Sequence, residues 1–278
     1  MNAQLSLAEI SAMNAAEHFT NTDVMQQMVP ALFAKQAHPK MSGRYSFTNT
    51  YDIIMYMHNL GWCVTSIMGG ASRYSKVLVR MRNVKYTEGS ERDFAPELVA
   101  LDSHDGSSVL KLLLGIIRFI CMNGCVAGDI MYARSYRHVA ADLMAQVMLD
   151  LGELDEHIVS LQHRIDDMRN HMTTIGERIF LAQEAIKARF PDNHDSEFII
   201  NMRASLLAPR RREDDSNDLY TVMNVIQENT IRGGRAYVSN NRMQRMRAIG
   251  AVDRSLHINQ DLWTSAENVM KNRKLANA

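Results

Sequence analysis

The sequence predicts an α+β protein: a small antiparallel sheet with flanking helices, one very long helix over about residues 139–190, and a helical C-terminal part. Three observations carry that reading. The first is a heptad pattern. With Leu151 as position a, the a positions are Leu151, Ile158, Ile165, Met172, Ile179 and Ile186 and the d positions Leu154, Leu161, Met168, Ile175 and Ala182, every one apolar. The second is a set of short runs of strand composition: WCVTSIM at 62–68, KVLVRMRNV at 76–84 and ELVALD at 97–102. The third is the return of helical spacing after Pro191, at 196–207, 219–231 and 259–270.

Composition narrows the function classes. The 278 residues are 46% hydrophobic and 22% charged, enough for a sizeable core. The 31 basic and 31 acidic side chains cancel, so any nucleic-acid binding must come from a local patch rather than an overall field. Cys63, Cys121 and Cys125 make no even disulfide framework, and MNAQLSLAEISAMNAAEHF lacks the basic and apolar regions of a secretory leader; a cytoplasmic location is expected. The most apolar run, 109–126, is interrupted by Lys111, Arg118 and Asn123 and does not read as a membrane span. Twenty methionines suit an adaptable core or interface.

Residues 1–40 read as an N-terminal helical segment, with Leu5, Ala8, Ala12, Ala16 and Phe19 near one face and Pro30 interrupting a second short helix. The α+β core spans 41–134. Thr48–Asn49–Thr50 caps a helix from Tyr51 to Leu60, which Gly61 ends. In the second strand Val77, Val79 and Met81 share one face, leaving Lys76, Leu78, Arg80 and Arg82 on the other. With Lys85 beyond it, this is either a basic face able to follow a phosphate backbone or the solvated side of an antiparallel strand. ELVALD runs into Ser103–His104–Asp105–Gly106–Ser107–Ser108 and then Val109–Ile120, read as an apolar helix with serine caps. Three readings of this loop stay open: a structural turn, a phosphate or partner contact through Ser103, His104 and Ser107, and a metal site of Asp102, His104 and Asp105. Asn123–Gly124 reads as the stop of that helix, and Cys121 and Cys125 as buried thiols, since zinc would want a second ligand pair.

The long helix, within residues 135–190, lacks the alternating Glu/Lys flanks of a self-pairing zipper, so it is expected to pack on this chain's own helices or on a neighbouring subunit. Gly152 and Gly176 each cost it about 1 kcal/mol, so packing must hold it. His163, Asp167 and His171 fall on one face, as a solvated stripe or part of a metal site. In the C-terminal region, 191–278, Pro209–Asp215 is a charged loop whose halves cancel, and Ser216 or Asn217 caps the helix from Leu219 to Ile231. Arg232–Gly233–Gly234–Arg235–Ala236–Tyr237 follows, either a helix stop or a loop that approaches phosphates and stacks on a base. With Arg242, Arg245 and Arg247, residues 232–247 hold five arginines and no acidic residue, the strongest local charge bias in the chain.

The string LDSHDGSSVLKLLLGIIRFICMNG resembles the signature of the DUF932 family. Leu60–Gly61–Trp62, the basic strand from Lys76, LYTVMNVIQENTIRGG and INQDLW fit the same pattern, so the resemblance covers roughly residues 45–265. It implies a setting in phages, prophages and plasmids and brings no catalytic residue. The order of helix, strands, polar loop and helix also resembles, loosely, the core of phage single-strand annealing proteins of the Rad52 type.

No Walker loop, paired zinc framework or nucleophile elbow is present. The expectation is therefore a phage or plasmid nucleic-acid-binding protein acting in recombination, replication or protection, homo-oligomeric, with no cofactor and no membrane. Single-stranded DNA is the expected ligand, met by Lys76, Arg80, Arg82, Lys85, Ser103, His104, Ser107, Arg232, Arg235, Tyr237, Arg242 and Arg245. The alternatives are a metal-dependent nuclease using the SHDGSS loop and a module that binds a host protein to counter a defence system.

Overall fold

Helix α1 (Thr50–Asn59) starts where Asn49 accepts the Tyr51 N–H and ends before Gly61, at φ +86°. The computed structural model describes residues 26–27, 29–70, 72–86, 94–118, 123–126, 133–138, 143–193, 195–239 and 242–276; the helical segment expected near the N-terminus falls mostly outside them, as does Cys121. From α1 the chain enters β1 (Trp62–Gly69), β2 (Val77–Asn83) and β3 (Phe94–Asp102), paired antiparallel with Trp62 opposite Asn83 and Val77 opposite Asp102. Next to β3 lies β4 (Leu110–Arg118), and β6 (Ala133–Tyr136) pairs antiparallel with β4, Leu110 opposite Tyr136. Every residue of β3 is buried, and Ile53, Ile54 and Met57 of α1 add to the core beside β1.

The α+β class stands, with two corrections to its elements. The described part of the run expected as a helix is a strand: β4 occupies 110–118, and Leu110, Leu112, Leu113, Leu114 and Ile116 are all buried. A strand covered on both faces carries no alternation, so its apolar run looks like a buried helix. Asn123–Gly124 accordingly opens a strand, β5 (Asn123–Val126), rather than stopping a helix.

The long helix is three: α2 (Leu143–Gly152), α3 (Leu154–Arg169) and α4 (Ile175–Arg189). The heptad positions are buried from Leu151 through Met168, but Met172 and Ile175 are 56% and 69% exposed. Between α3 and α4 the backbone is tied to a distant segment instead. The Thr173 N–H donates to Asn217 O at 2.9 Å, the Leu219 N–H donates to His171 O at 2.9 Å, and Met172 bridges Asp218. Thr174 and Glu177 then restart the helix as a capping box. His171 therefore leaves the face it was expected to share with His163 and Asp167; it is buried, with Nε2 3.1 Å from Glu177 Oε1.

Two compact units emerge, each discontinuous in sequence: residues 1–117 with 132–158, and residues 118–131 with 159–278. The second unit holds α4, α5 (Ser196–Leu207), α6 (Leu219–Arg232), a two-stranded hairpin of β7 (Ala236–Ser239) and β8 (Arg242–Arg245), and α7 (Val252–Ala276). Asp218, not Ser216 or Asn217, caps α6 by accepting the Thr221 N–H at 2.8 Å. From Leu219 to Thr230 every residue of α6 is buried, with α4, α5 and α7 packed around it. Among the described residues no helix is long and apolar enough to cross a membrane.

Polar side chains finish both ends of this packing. The Asn229 amide donates to the Leu206 and Ala208 carbonyls at 2.8 and 2.9 Å and accepts from Arg210 Nε and Arg235 Nε at 2.7 and 2.8 Å, which satisfies all of it. Just beyond, Gly233 has φ +66°, and a Cβ there would sit 2.5 Å from Met246 O. Gly233→Ala should therefore lower stability by about 2 kcal/mol or more. Gly152→Ala, in a helix with open space around it, should raise stability by up to about 1 kcal/mol; urea unfolding of both variants checks the contrast.

Candidate nucleic-acid interface

Along β2 the alternation is as the sequence implies: Val77, Val79 and Met81 are buried on one face, and Arg80 and Arg82 project from the other. Opposite them stands Glu97 of β3, 1% exposed, whose burial is offset by the cations beside it. Arg80 Nη1 is 2.5 Å from Glu97 Oε2, Arg82 Nε is 3.8 Å from Oε1, and the Thr65 hydroxyl donates to Oε1 at 3.4 Å. Two guanidiniums on one carboxylate leave a single positive charge, with the side chains only 19% and 20% exposed. Lys85 turns to Asp155 at 2.5 Å, and its ammonium is held in the charged form by that bond and by Tyr86. Lys76 is partly buried. The strand thus offers a braced ion pair rather than an open row of cations.

The SHDGSS loop turns its first two residues inward and leaves Gly106 and Ser107 exposed. Asp102, Ser103 and His104 are all buried. Asp102 Oδ2 accepts the Thr50 hydroxyl at 2.8 Å; Oδ1 accepts the Ser103 N–H at 2.8 Å and lies 2.9 Å from His138 Nε2. Thr50 Oγ1 is also 3.0 Å from His104 Nε2, and because the Thr50 proton is given to Asp102, the imidazole must be the donor in that contact. Tyr45 OH lies 3.5 Å from His104 Nδ1 and 3.4 Å from Ser103 O, while its ring stacks on His138 at 4.8 Å and 18°. Burial lowers the affinity of His104 for a proton, with Asp102 opposing; burial and then Asp102 and Asp105 push the Tyr45 phenol upward.

Chemically this arrangement fixes segments to one another: the start of α1, the end of β3 and the second residue after β6 share one hydrogen-bonded cluster. Thr50, His138 and Tyr45 were not among the expected site residues, and neither spacing nor motif links positions 45, 50, 104 and 138. Asp105, a ligand only in the metal reading of the loop, accepts the Ser107 N–H at 2.8 Å; burial opposes its ionisation, and hydrogen bonds from Ser107 and Ser103 and the charge of Lys40 override that and keep its carboxyl acidic. The Ser107 side chain is exposed and donates to Ser103 Oγ at 3.2 Å. Among the described residues no three His, Cys, Asp or Glu side chains gather to hold a metal ion.

The arginine-rich segment divides in two. Arg232 lies 3.3 Å from Glu228, and Arg235 donates to Asn229 and to the Ala208 carbonyl, so both brace the end of α6. Glu228 is buried and takes both guanidinium nitrogens of Arg211 at 2.7 Å; burial opposes its ionisation and Arg211 outweighs it, so its carboxyl stays below the usual range. Tyr237 stands edge-on to Phe198 at 5.4 Å and donates to Gln244 Oε1 at 2.9 Å, which turns that hairpin face toward α5. Alternation sends Met243 and Arg245 to the opposite face and keeps Arg242 on the face of Tyr237 and Gln244. All of β8 is exposed, Met243 to 80%. Among the described residues Arg242 and Arg245 have no ion-pair partner.

The family model for a domain of unknown function, DUF932, matches residues 37–263. The chain belongs to the DUF932 family. In Escherichia coli strain K12 it is similar to the UPF0380 protein YafZ and to the UPF0380 protein YfjQ, each 28% identical over 255 residues that cover 88% of this chain and 89% of the relative. No solved structure is significantly similar to it.

The strings that carry the DUF932 resemblance are, in this structure, its structural joints. LDSHDGSS holds the Asp102 cluster, ENTIRGG holds Glu228, Asn229 and Gly233, and INQDLW supplies Asn259, which accepts from Gln227 at 2.9 Å, and Trp263, which donates to Glu267 at 3.1 Å. Arg242 and Arg245 lie outside all of them. The buried His104 gives this DUF932 chain a definite pH response. The unfolded chain protonates His104 near 6.5 and the folded chain only at lower pH, so below 6.5 the unfolded state takes up the proton first and stability falls. His104→Gln should cost about 1–3 kcal/mol at neutral pH through its lost partners and flatten the decline in urea midpoint below 6.5.

Proposed function

We propose that this DUF932 protein binds nucleic acid, single-stranded DNA above all, through the β7–β8 hairpin, and that it does so as a homo-oligomer in phage or plasmid recombination, replication or protection. The observation that carries the reading is the pair Arg242 and Arg245 on an exposed hairpin, inside a sixteen-residue stretch, 232–247, without an acidic side chain. The other arginines of that stretch whose partners are described, Arg232 and Arg235, are committed to α6. Both are exposed, and Arg245 shares its face with Met243, a flexible apolar side chain suited to lie against a base.

A chain of zero net charge gains little from long-range attraction, and two phosphate contacts per subunit make a weak site. Repetition of the hairpin around an oligomer raises the effective concentration of the second and later contacts, so the assembly binds where the subunit alone does not. Light scattering with size-exclusion chromatography, with and without an oligonucleotide of about 40 bases, tests the assembly. In the same experiment Arg242→Ala with Arg245→Ala should weaken binding about tenfold or more and reduce the slope of log K against log salt by about 1.4, since each phosphate contact on a single strand contributes about 0.7. Unchanged affinity and slope in that double variant would refute the assignment.

A further inference from the structure

The second unit contains a cationic cavity that the hairpin reading does not use. It encloses about 270 Å³ and is lined by Arg189, Phe190, Arg247, the backbone turn 248–251 and Arg254. Three guanidiniums line it, and among the residues whose side chains are described no carboxylate does. Arg189 is the unusual member. Only 7% exposed, it donates to the carbonyls of Thr230 and Arg247, which take two of its five N–H groups without cancelling its charge. Arg254 in turn donates to Arg189 O. The buried Glu228 of this unit, by contrast, is matched by the opposite charge of Arg211. Here burial and the nearby Arg254 both disfavour the charged form of Arg189, which marks a place where negative charge is wanted.

Two more features point the same way. Helix α7 begins at Val252, directly after the lining turn, and its first helical bond described runs from Ser255 N–H to Ala251 O. The N–H groups of its opening turn and the positive end of its dipole therefore lie at the cavity. Arg247 follows Met246, whose buried side chain and bonds to Arg235 O and Gly234 N–H anchor the base of the hairpin. The cavity is thus continuous in sequence with Arg242 and Arg245.

We propose that this cavity is a phosphate-binding site, in which Arg247 and Arg254 hold a phosphate monoester or diester over the buried Arg189. Each guanidinium has five N–H donors, so Arg254 can keep its bond to Arg189 O and still present others. The volume is several times the ~30 Å³ share of one water, enough for a phosphate together with part of what carries it. The site rests on the nucleic-acid reading only for the source of the phosphate, which is a strand backbone or a free phosphate compound.

The test uses the full chain in three forms: wild type, Arg247→Gln with Arg254→Gln, and Arg242→Ala with Arg245→Ala. Thermal unfolding is followed in inorganic phosphate and in chloride of equal ionic strength, and binding of a labelled oligonucleotide of about 40 bases is measured in parallel. Phosphate should raise the Tm of the wild type and of the hairpin variant, leave the cavity variant unmoved, and the cavity variant should bind the oligonucleotide about tenfold more weakly. A wild type indifferent to phosphate, or a cavity variant that responds like the wild type, overturns the site. If the phosphate response is lost and oligonucleotide binding is not, the site stands and its ligand is a free phosphate compound. If no form binds the oligonucleotide while the phosphate response still depends on Arg247 and Arg254, the hairpin reading fails and this one survives. Arg247→Lys with Arg254→Lys, which keeps both charges, should restore part of the response; a folded lysine variant with no response, measured beside a responsive wild type, supports bidentate recognition over simple charge.

Discussion

Burying the Asp102 carboxylate obliges the chain to bring donors to it, and the architecture of the first unit follows from where those donors come from. A carboxylate removed from water loses several kcal/mol of hydration, which hydrogen bonds of good geometry must replace. The replacements are the hydroxyl that begins α1, the N–H of the next residue and the imidazole two residues after β6. Sheet and helix would still be apolar without them, but their relative placement would be set by packing alone. The second unit solves the same problem with an amide: Asn229 has two donors and an acceptor in a buried setting and uses all of them to join α5, the loop after it and the segment after α6.

That view changes how the positive charge of this chain is understood. Its guanidiniums serve two purposes that composition does not separate. Arg80, Arg82, Arg211, Arg232 and Arg235 compensate buried acceptors and are spent within the fold. Arg242 and Arg245 extend from a short hairpin and compensate nothing described, and Arg189, Arg247 and Arg254 gather around a hollow. Charge of the second kind remains open to a ligand, and these five arginines lie between the end of α4 and the first turn of α7.

What was legible in the sequence was whatever had a period on one face. Burial at Leu151, Leu154, Ile158, Leu161, Ile165 and Met168 follows the heptad, and the outward face of β2 follows from alternation. Period fails when both faces are covered, which is why LKLLLGIIR reads as a helix and is a strand. It also fails where distant backbone competes: nothing near residues 170–174 announces that Asn217 and Asp218 will tie them down. The partner that braces Arg80, Glu97, looks in sequence like any polar residue of a strand. His138 and Thr50 reach Asp102 across 36 and 52 residues, and Arg189 and Arg254 meet across 65; local patterns carry no information over such separations. The family match was legible because its strings coincide with the joints, whose chemistry tolerates few residue types.

The discontinuity of the two units has a consequence for how the molecule is made. Each unit needs a piece of chain that lies on the far side of part of the other, so a ribosome delivers 118–131 well before the rest of its unit and 132–158 after the sheet it must complete. No single cut yields two complete units. During synthesis the first unit is therefore completed only when residues 132–158 emerge, and the second only as residues 159–278 follow its early insert.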